Sequence, residues 1–205
     1  TTINKSSSFM NTKLYTGDGN STQAITGVGF QPDLVWLKNR SDSTWHQLID
    51  AVRGTGATYT LASNSNEAEG GGATNQYGFI SAIGSDGFTV SAGSSNASVV
   101  NQNGQNYVAW NWKANGAGSA NTDGSINTTV SVNTTSGFSI VKWTGNSTAG
   151  ETIGHGLGVT PKVVIIKRLN GAAQSWICKF PTATGNTPTD GYLALDTTDA
   201  ISASS

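Results

Sequence analysis

Gly27-Val28-Gly29-Phe30-Gln31-Pro32-Asp33-Leu34-Val35-Trp36-Leu37-Lys38 reads as a turn, a proline and an apolar run, and it occurs twice. It returns 129 positions later as Gly156-Leu157-Gly158-Val159-Thr160-Pro161-Lys162-Val163-Val164-Ile165-Ile166-Lys167. The glycines supply the turn, Pro32 and Pro161 fix φ at strand entry, and the short apolar run that follows predicts a strand covered on both faces. Working outward, Tyr15-Thr16-Gly17 precedes the first copy and Trp143-Thr144-Gly145 the second, with one residue added after Ile153. Leu61-Ala62-Ser63-Asn64 matches Leu193-Ala194-Leu195-Asp196, and Trp45 aligns with Trp176. Matches in fixed order with small drifting gaps indicate duplication, and duplication points to an array of modules. The second copy has no counterpart of Asp86-Gly87-Phe88-Thr89-Val90 or of Tyr107-Val108-Ala109-Trp110-Asn111-Trp112. The expectation is that the chain continues beyond Ser205 or that a neighbour supplies the missing strands.

Strands are expected nearly throughout: Lys13 to Thr16, Asp33 to Asn39, Trp45 to Asp50, Thr58 to Ala62, Gly87 to Ala92 and Asn106 to Lys113 in the first copy. The second copy contributes Asn127 to Val132, Phe138 to Thr144, Lys162 to Arg168, Ser175 to Phe180 and Tyr192 to Asp196. No amphipathic helix of ordinary length is expected. Short strands between Gly, Asn, Asp and Pro clusters predict an all-β fold of tandem antiparallel β-sandwiches, the second incomplete. The divisions are a polar N-terminal arm at 1–8, a first module at 9–113, a linker at 114–125 made of small and polar residues, and a truncated second module at 126–205. The arm is too poor in apolar residues to fold alone and is expected to order by docking.

Composition narrows the function classes. The 205 residues carry 36 % hydrophobic side chains, enough for a core, but only 11 % charged ones, against roughly 25 % in an average domain. Polarity comes from Ser, Thr, Asn and 26 Gly, the palette of strands joined by tight turns. A net charge of −1 leaves no basic stripe for nucleic acid. No window reaches the apolar length of a membrane span, so membrane insertion is not expected. The single Cys178 can form no disulfide within the chain.

Candidate catalytic groups are few. His46 aligns with Ile177 and His155 with Thr26, so neither histidine recurs in the other copy. Metal sites need several ligands at fixed spacing, and neither paired Cys nor His-Glu-x-x-His is present. Glu67 and Glu69 lie two apart beside Gly70-Gly71-Gly72. A glycosidase would need two carboxylates facing each other across a cleft, and a loop is the simpler reading here. Gly27-x-Gly29 and Gly156-x-Gly158 lead into strands, whereas a phosphate loop opens a helix. Asp18-Gly19, Asp86-Gly87, Asp123-Gly124 and Asp190-Gly191 could hold calcium on loops, but turn chemistry explains each. The expectation is therefore no enzyme, no metal and no cofactor.

The binding candidates are aromatic. Trp110 and Trp112 share one face of a strand with Val108, and Tyr107, Ala109, Asn111 and Lys113 take the other. Two such indoles make either a stacking platform for a sugar or a core contact. Trp45 and Trp176 complete the set of candidate ligand-binding residues.

The motifs Gly-x-Gly-Phe-Gln-Pro-Asp-Leu-Val-Trp-Leu-Lys-Asn-Arg, Asp50-Ala51-Val52-Arg53-Gly54, Ser85-Asp86-Gly87-Phe88-Thr89-Val90 and Tyr107-Val108-Ala109-Trp110-Asn111-Trp112-Lys113-Ala114 resemble a repeated module of tailed-phage structural proteins. The resemblance implies a concanavalin A-like or laminin-G-like jelly roll in a tail fibre or related virion appendage. It further implies an adhesive role towards host-surface polysaccharide, other virion proteins and sister subunits as partners, and a homotrimer. It brings no catalytic residues. A capsid decoration protein and a polysaccharide depolymerase are the competing expectations.

Overall fold

The computed structural model describes residues 3, 5–71, 74–180 and 191–200. Among them the chain is all-β, with thirteen strands and a single α-helical turn at Thr74–Tyr77. The first copy holds β1 (Met10–Thr16), β2 (Thr22–Thr26), β3 (Leu34–Asn39), β4 (Gln47–Asp50), β5 (Phe79–Gly84), β6 (Gly87–Ser91) and β7 (Asn106–Trp112). They form two antiparallel sheets, ordered β1-β7-β3-β4 and β2-β6-β5.

Side chains alternate across a strand, so each sheet offers every second residue to the space between them. Val35 and Leu37 of β3, Ile49 of β4 and Tyr107 and Ala109 of β7 meet Ile25, Ile80, Phe88 and Val90 of the facing sheet, and all are buried. Burying a side chain such as Leu37 stabilises the fold by about 1.5–3 kcal/mol. Val99 and Val100 close one end. There Tyr15 stacks on Tyr107 at 5.0 Å and donates its hydroxyl to the Val100 carbonyl at 2.6 Å. Burial holds the Tyr15 hydroxyl well above the ordinary tyrosine value, and it stays a protonated donor.

The second copy holds β8 (Ser119–Asn121), β9 (Thr128–Asn133) and β10 (Phe138–Trp143) in one antiparallel sheet, ordered β10-β9-β8. A second sheet, ordered β11-β12-β13, comprises β11 (Val164–Ile166), β12 (Ile177–Lys179) and β13 (Leu193–Ala194). The duplication is visible in the pairing. Leu37 lies opposite Gln47 in the first copy and Ile166 opposite Ile177 in the second, and Leu48 bridges to Leu61 as Cys178 pairs with Leu193.

Several sequence expectations change. The segment 114–125, read as a linker, contains β8, whose backbone joins the second copy's sheet. Its start is fixed too, because Asp33 accepts the Ala114 N–H at 2.6 Å and Ser131 accepts the Asn115 N–H at 2.8 Å. Thr58 to Ala62 is not a strand. It begins as a 3-10 turn at Ala57–Tyr59 and touches β4 only through the Leu48–Leu61 bridge. Strands β2 and β5 escape the periodicity argument because Thr22–Thr26 is half polar and β5 carries a bulge between Ile80 and Ala82. Within the arm, Ser6–Ser8 forms one 3-10 turn, while Thr1, Thr2 and Asn4 lie outside the described residues.

Leu34 to Leu37 is covered on both faces, as its sequence requires, whereas Val163 to Ile166 is not. Val163 is 51 % exposed and Ile165 48 %. In the first copy Trp112 and Trp110 of β7 flank the corresponding Leu34 and Trp36, and the described residues hold no counterpart of β7 in the second.

Candidate functional site

The outer face of the β1-β7-β3-β4 sheet carries Leu34, Trp36, Val108, Trp110 and Trp112, all pointing away from the sandwich core. A sandwich needs only one apolar face per sheet, so this second face calls for a partner. The second copy provides it. Leu48, Leu61 and Trp176 are buried together, with Leu34, Trp36, Leu169 and Leu195 packed around them. Trp36 meets Trp110 edge to face at 6.1 Å, and Trp112 stacks on Phe138 of β10 at 6.2 Å.

Hydrogen bonds fix the register of this seam. The Trp176 indole N–H reaches the carbonyls of Ala62 at 2.9 Å and Ser65 at 3.1 Å. Backbone N–H groups cross in both directions, from Glu69 to the Leu169 carbonyl and from Gln174 to the Asn66 carbonyl, each at 2.9 Å. Lys167 Nζ adds a bond to the same Asn66 carbonyl.

The same bonds settle which residues correspond between the copies. Asn64 Oδ1 accepts the His46 N–H at 2.9 Å, and Asp196 Oδ1 accepts the Trp176 N–H at 2.8 Å. Lys38 Nζ donates to the Thr44 carbonyl, and Lys167 Nζ to the Gln174 carbonyl. Partial burial lowers the pKa of both lysines, Lys38 and Lys167. Trp176 therefore occupies the place of His46, and the alignment of Trp45 with Trp176 is off by one residue. Sequence similarity pulled the two indoles into line, whereas the strand pairing sets them one step apart. His46 itself lies against Ser63 Oγ at 3.1 Å, and desolvation lowers its pKa.

Of the four candidate tryptophans, Trp110, Trp112 and Trp176 are drawn into packing. Trp45 stands apart, half-buried in the connection between β3 and β4. The acidic candidates are engaged structurally as well. Arg53 binds Asp50 at 2.5 Å and Glu69 at 2.7 Å, with the Arg53 and Asp50 side chains almost wholly buried. Asp50 also accepts the N–H groups of Val52 and Arg53, so the Asp50–Gly54 motif is a corner tied by one carboxylate. Asp86 accepts N–H bonds from Gly29 at 2.6 Å and Gly27 at 3.0 Å, which lower its pKa. The two glycines sit at φ 91° and 80°, a backbone state that lets both amides converge. Asp18 bonds to Asn20 and Asn101, and Asp123 to Asn121, as turn chemistry requires. Asp190 lies outside the described residues. Among the described residues no three His, Cys, Asp or Glu side chains gather as a metal site.

One open pocket of about 310 Å³ lies beside the seam, lined by Val52 from the first copy and by Asn127, Thr128, Thr129, Lys142, Trp143 and Thr144 from the second. Trp143 was legible only as the counterpart of Tyr15. Tyr15 is stacked on Tyr107, and the second copy has no Tyr107, which leaves the Trp143 ring half-exposed on a wall of hydroxyls and amides. The signal for this site was an aromatic position repeated without its stacking partner.

Residues 5–205 match a family model described as a Domain of unknown function (DUF7483), and the chain belongs to that family. No curated protein and no solved structure matches it.

Proposed function

We propose that this member of the family is a non-catalytic structural protein of a tailed-phage virion, a component of a tail fibre or related appendage with an adhesive role towards host-surface polysaccharide. The observation that carries the reading is the seam: two copies of one module are joined through Trp36, Trp112, Trp176 and three backbone or lysine bonds. A spacer must hold its modules in fixed relation, and apolar packing plus crossed hydrogen bonds does so where a flexible linker would not. The buried Arg53–Asp50 pair and the Asp86 turn fit the same reading, since Asp50 and Asp86 each accept backbone N–H groups.

Adhesion is assigned to the pocket at Trp143. An indole face packs against sugar C–H groups, and Asn127, Thr128, Thr129 and Lys142 offer donors and acceptors to the hydroxyls around it. Sister subunits, in a trimer, and neighbouring virion proteins are the expected partners. Antibody against the chain should label the tail appendages of purified virions. Label confined to the head would replace this reading with a capsid decoration protein. Host polysaccharide should retain the chain, and Trp143→Ala should release it with the melting temperature unchanged. Release of reducing ends from that polysaccharide would overturn the non-catalytic assignment.

A further inference from the structure

Strands β1 and β3 do not touch each other in the first copy. Each pairs with β7, which runs between them with seven residues in register on one side and six on the other. Their counterparts in the second copy are β10 and β11. Each of these is the terminal strand of its own three-stranded sheet, with no strand on its outer edge among the described residues. A bare edge is a row of backbone donors and acceptors set to take another strand. Apolar side chains beside that edge are uncovered in the same place: Val163 is 51 % exposed, Ile165 48 % and Val159 68 %. The apolar surface left open is thus at β11, whereas Leu195, next to β13, packs in the seam.

We propose that the second copy is completed by an inserted antiparallel strand that pairs with β10 on one edge and β11 on the other and joins the two sheets into one. The first copy defines its chemistry. Ala109 lies opposite Leu37, the counterpart of Ile166, and Trp110 lies opposite Trp36, the counterpart of Ile165. The occupant therefore alternates a small residue over Ile166 with a large apolar one beside Ile165, the pattern of Tyr107–Trp112. It comes from outside these 205 residues. The sequence contains the Tyr-Val-Ala-Trp-Asn-Trp pattern once, and that strand is already bonded along both edges, so a second copy of the chain could donate it only by dismantling its own first module.

A synthetic peptide with the sequence of residues 105–114 is the probe, added to the intact chain. Saturating peptide should slow amide exchange at least tenfold at both Phe138–Trp143 and Val164–Ile166, while a scrambled peptide of equal composition should not. Ile165→Asp, at a half-exposed position, should weaken peptide binding at least tenfold without shifting the melting temperature. Protection no greater than the scrambled peptide gives would overturn the proposal. So would faster exchange at Met10–Thr16, which would mean that the peptide displaces β7. Amides of β10 and β11 that are already slow in the chain alone, and become fast on dilution, would assign the edge to a second copy and also overturn it.

Discussion

The pair β3–β4 and the pair β11–β12 are built from nearly the same apolar pattern, and they end in opposite environments. Val35, Leu37 and Ile49 are fully buried, while Val164, Ile166 and Lys179 at the matching places are half-exposed. On the outward faces Leu48, Leu61 and Trp176 pack together across the seam, while Val163 and Ile165 of β11 stay exposed. The Gly27–Gly29 turn wraps the Asp86 carboxylate, whereas in the Gly156–Gly158 turn the Leu157 N–H goes to His155 Nδ1. Strand formation is thus a local property of the repeat, and burial depends on what the rest of the fold lays over it.

The largest break in this comparison is at the seam. Trp176→Ala removes a buried indole and leaves the Ala62 and Ser65 carbonyls without its N–H, a loss of about 3–5 kcal/mol. Amide exchange in β11–β13 should rise far more than in β2, β5 and β6, and equal acceleration everywhere would refute a separate seam.

Next in size is a matched pair. Leu37→Ala empties a fully buried position and should cost about 2–5 kcal/mol, whereas Ile166→Ala, half-exposed, should cost about 1 kcal/mol. Denaturant midpoints measured on both variants check this. Equal losses would mean that the second copy's inner face is covered in solution.

Glu69→Gln tests whether the acid is structural. Arg53 keeps Asp50 and loses one charge-assisted bond, a change of about 1–2 kcal/mol after allowance for the partial exposure of Glu69. A thermal melt with no change would show that the pair contributes nothing to stability.

The smallest effect is the pH dependence contributed by Asp86. The Gly29 and Gly27 amides lower the Asp86 pKa in the folded chain, so the stabilisation is complete above the unfolded value of about 3.9 and is lost as pH falls through the lower folded value. Asp86→Asn should lower the melting temperature at neutral pH and flatten the acid limb, so that the two proteins converge as the pH falls below about 3.9. A difference between the two proteins that persists at neutral pH but does not change with acidification would contradict this origin.

Much of the fold was legible in particular residues. Pro32 and Pro161 marked strand entry, Lys38 and Lys167 marked the repeat's frame, and the structure gives each lysine the same carbonyl bond in its own copy. The candidate site was less legible. Trp110, Trp112 and Trp176 look alike as platforms or packing groups, because an indole's apolar face serves both and only its neighbours decide. Trp143 shows in the sequence only as a repeat of Tyr15, because a missing stacking partner leaves no trace near the residue itself.

By itself the sequence determined what backbone sterics and side-chain alternation dictate locally: the duplication, the all-β class, the turns and the inward and outward faces of β3 and β7. Only the tertiary structure decided that the second apolar face of β3 and β7 seals against the other copy, that β8 belongs to the second module, and that β10 and β11 keep open edges. The reason is physical. Alternation says which residues share a face, but burial is an agreement between segments far apart in the chain, and here Trp176 reaches Ala62 across 114 positions.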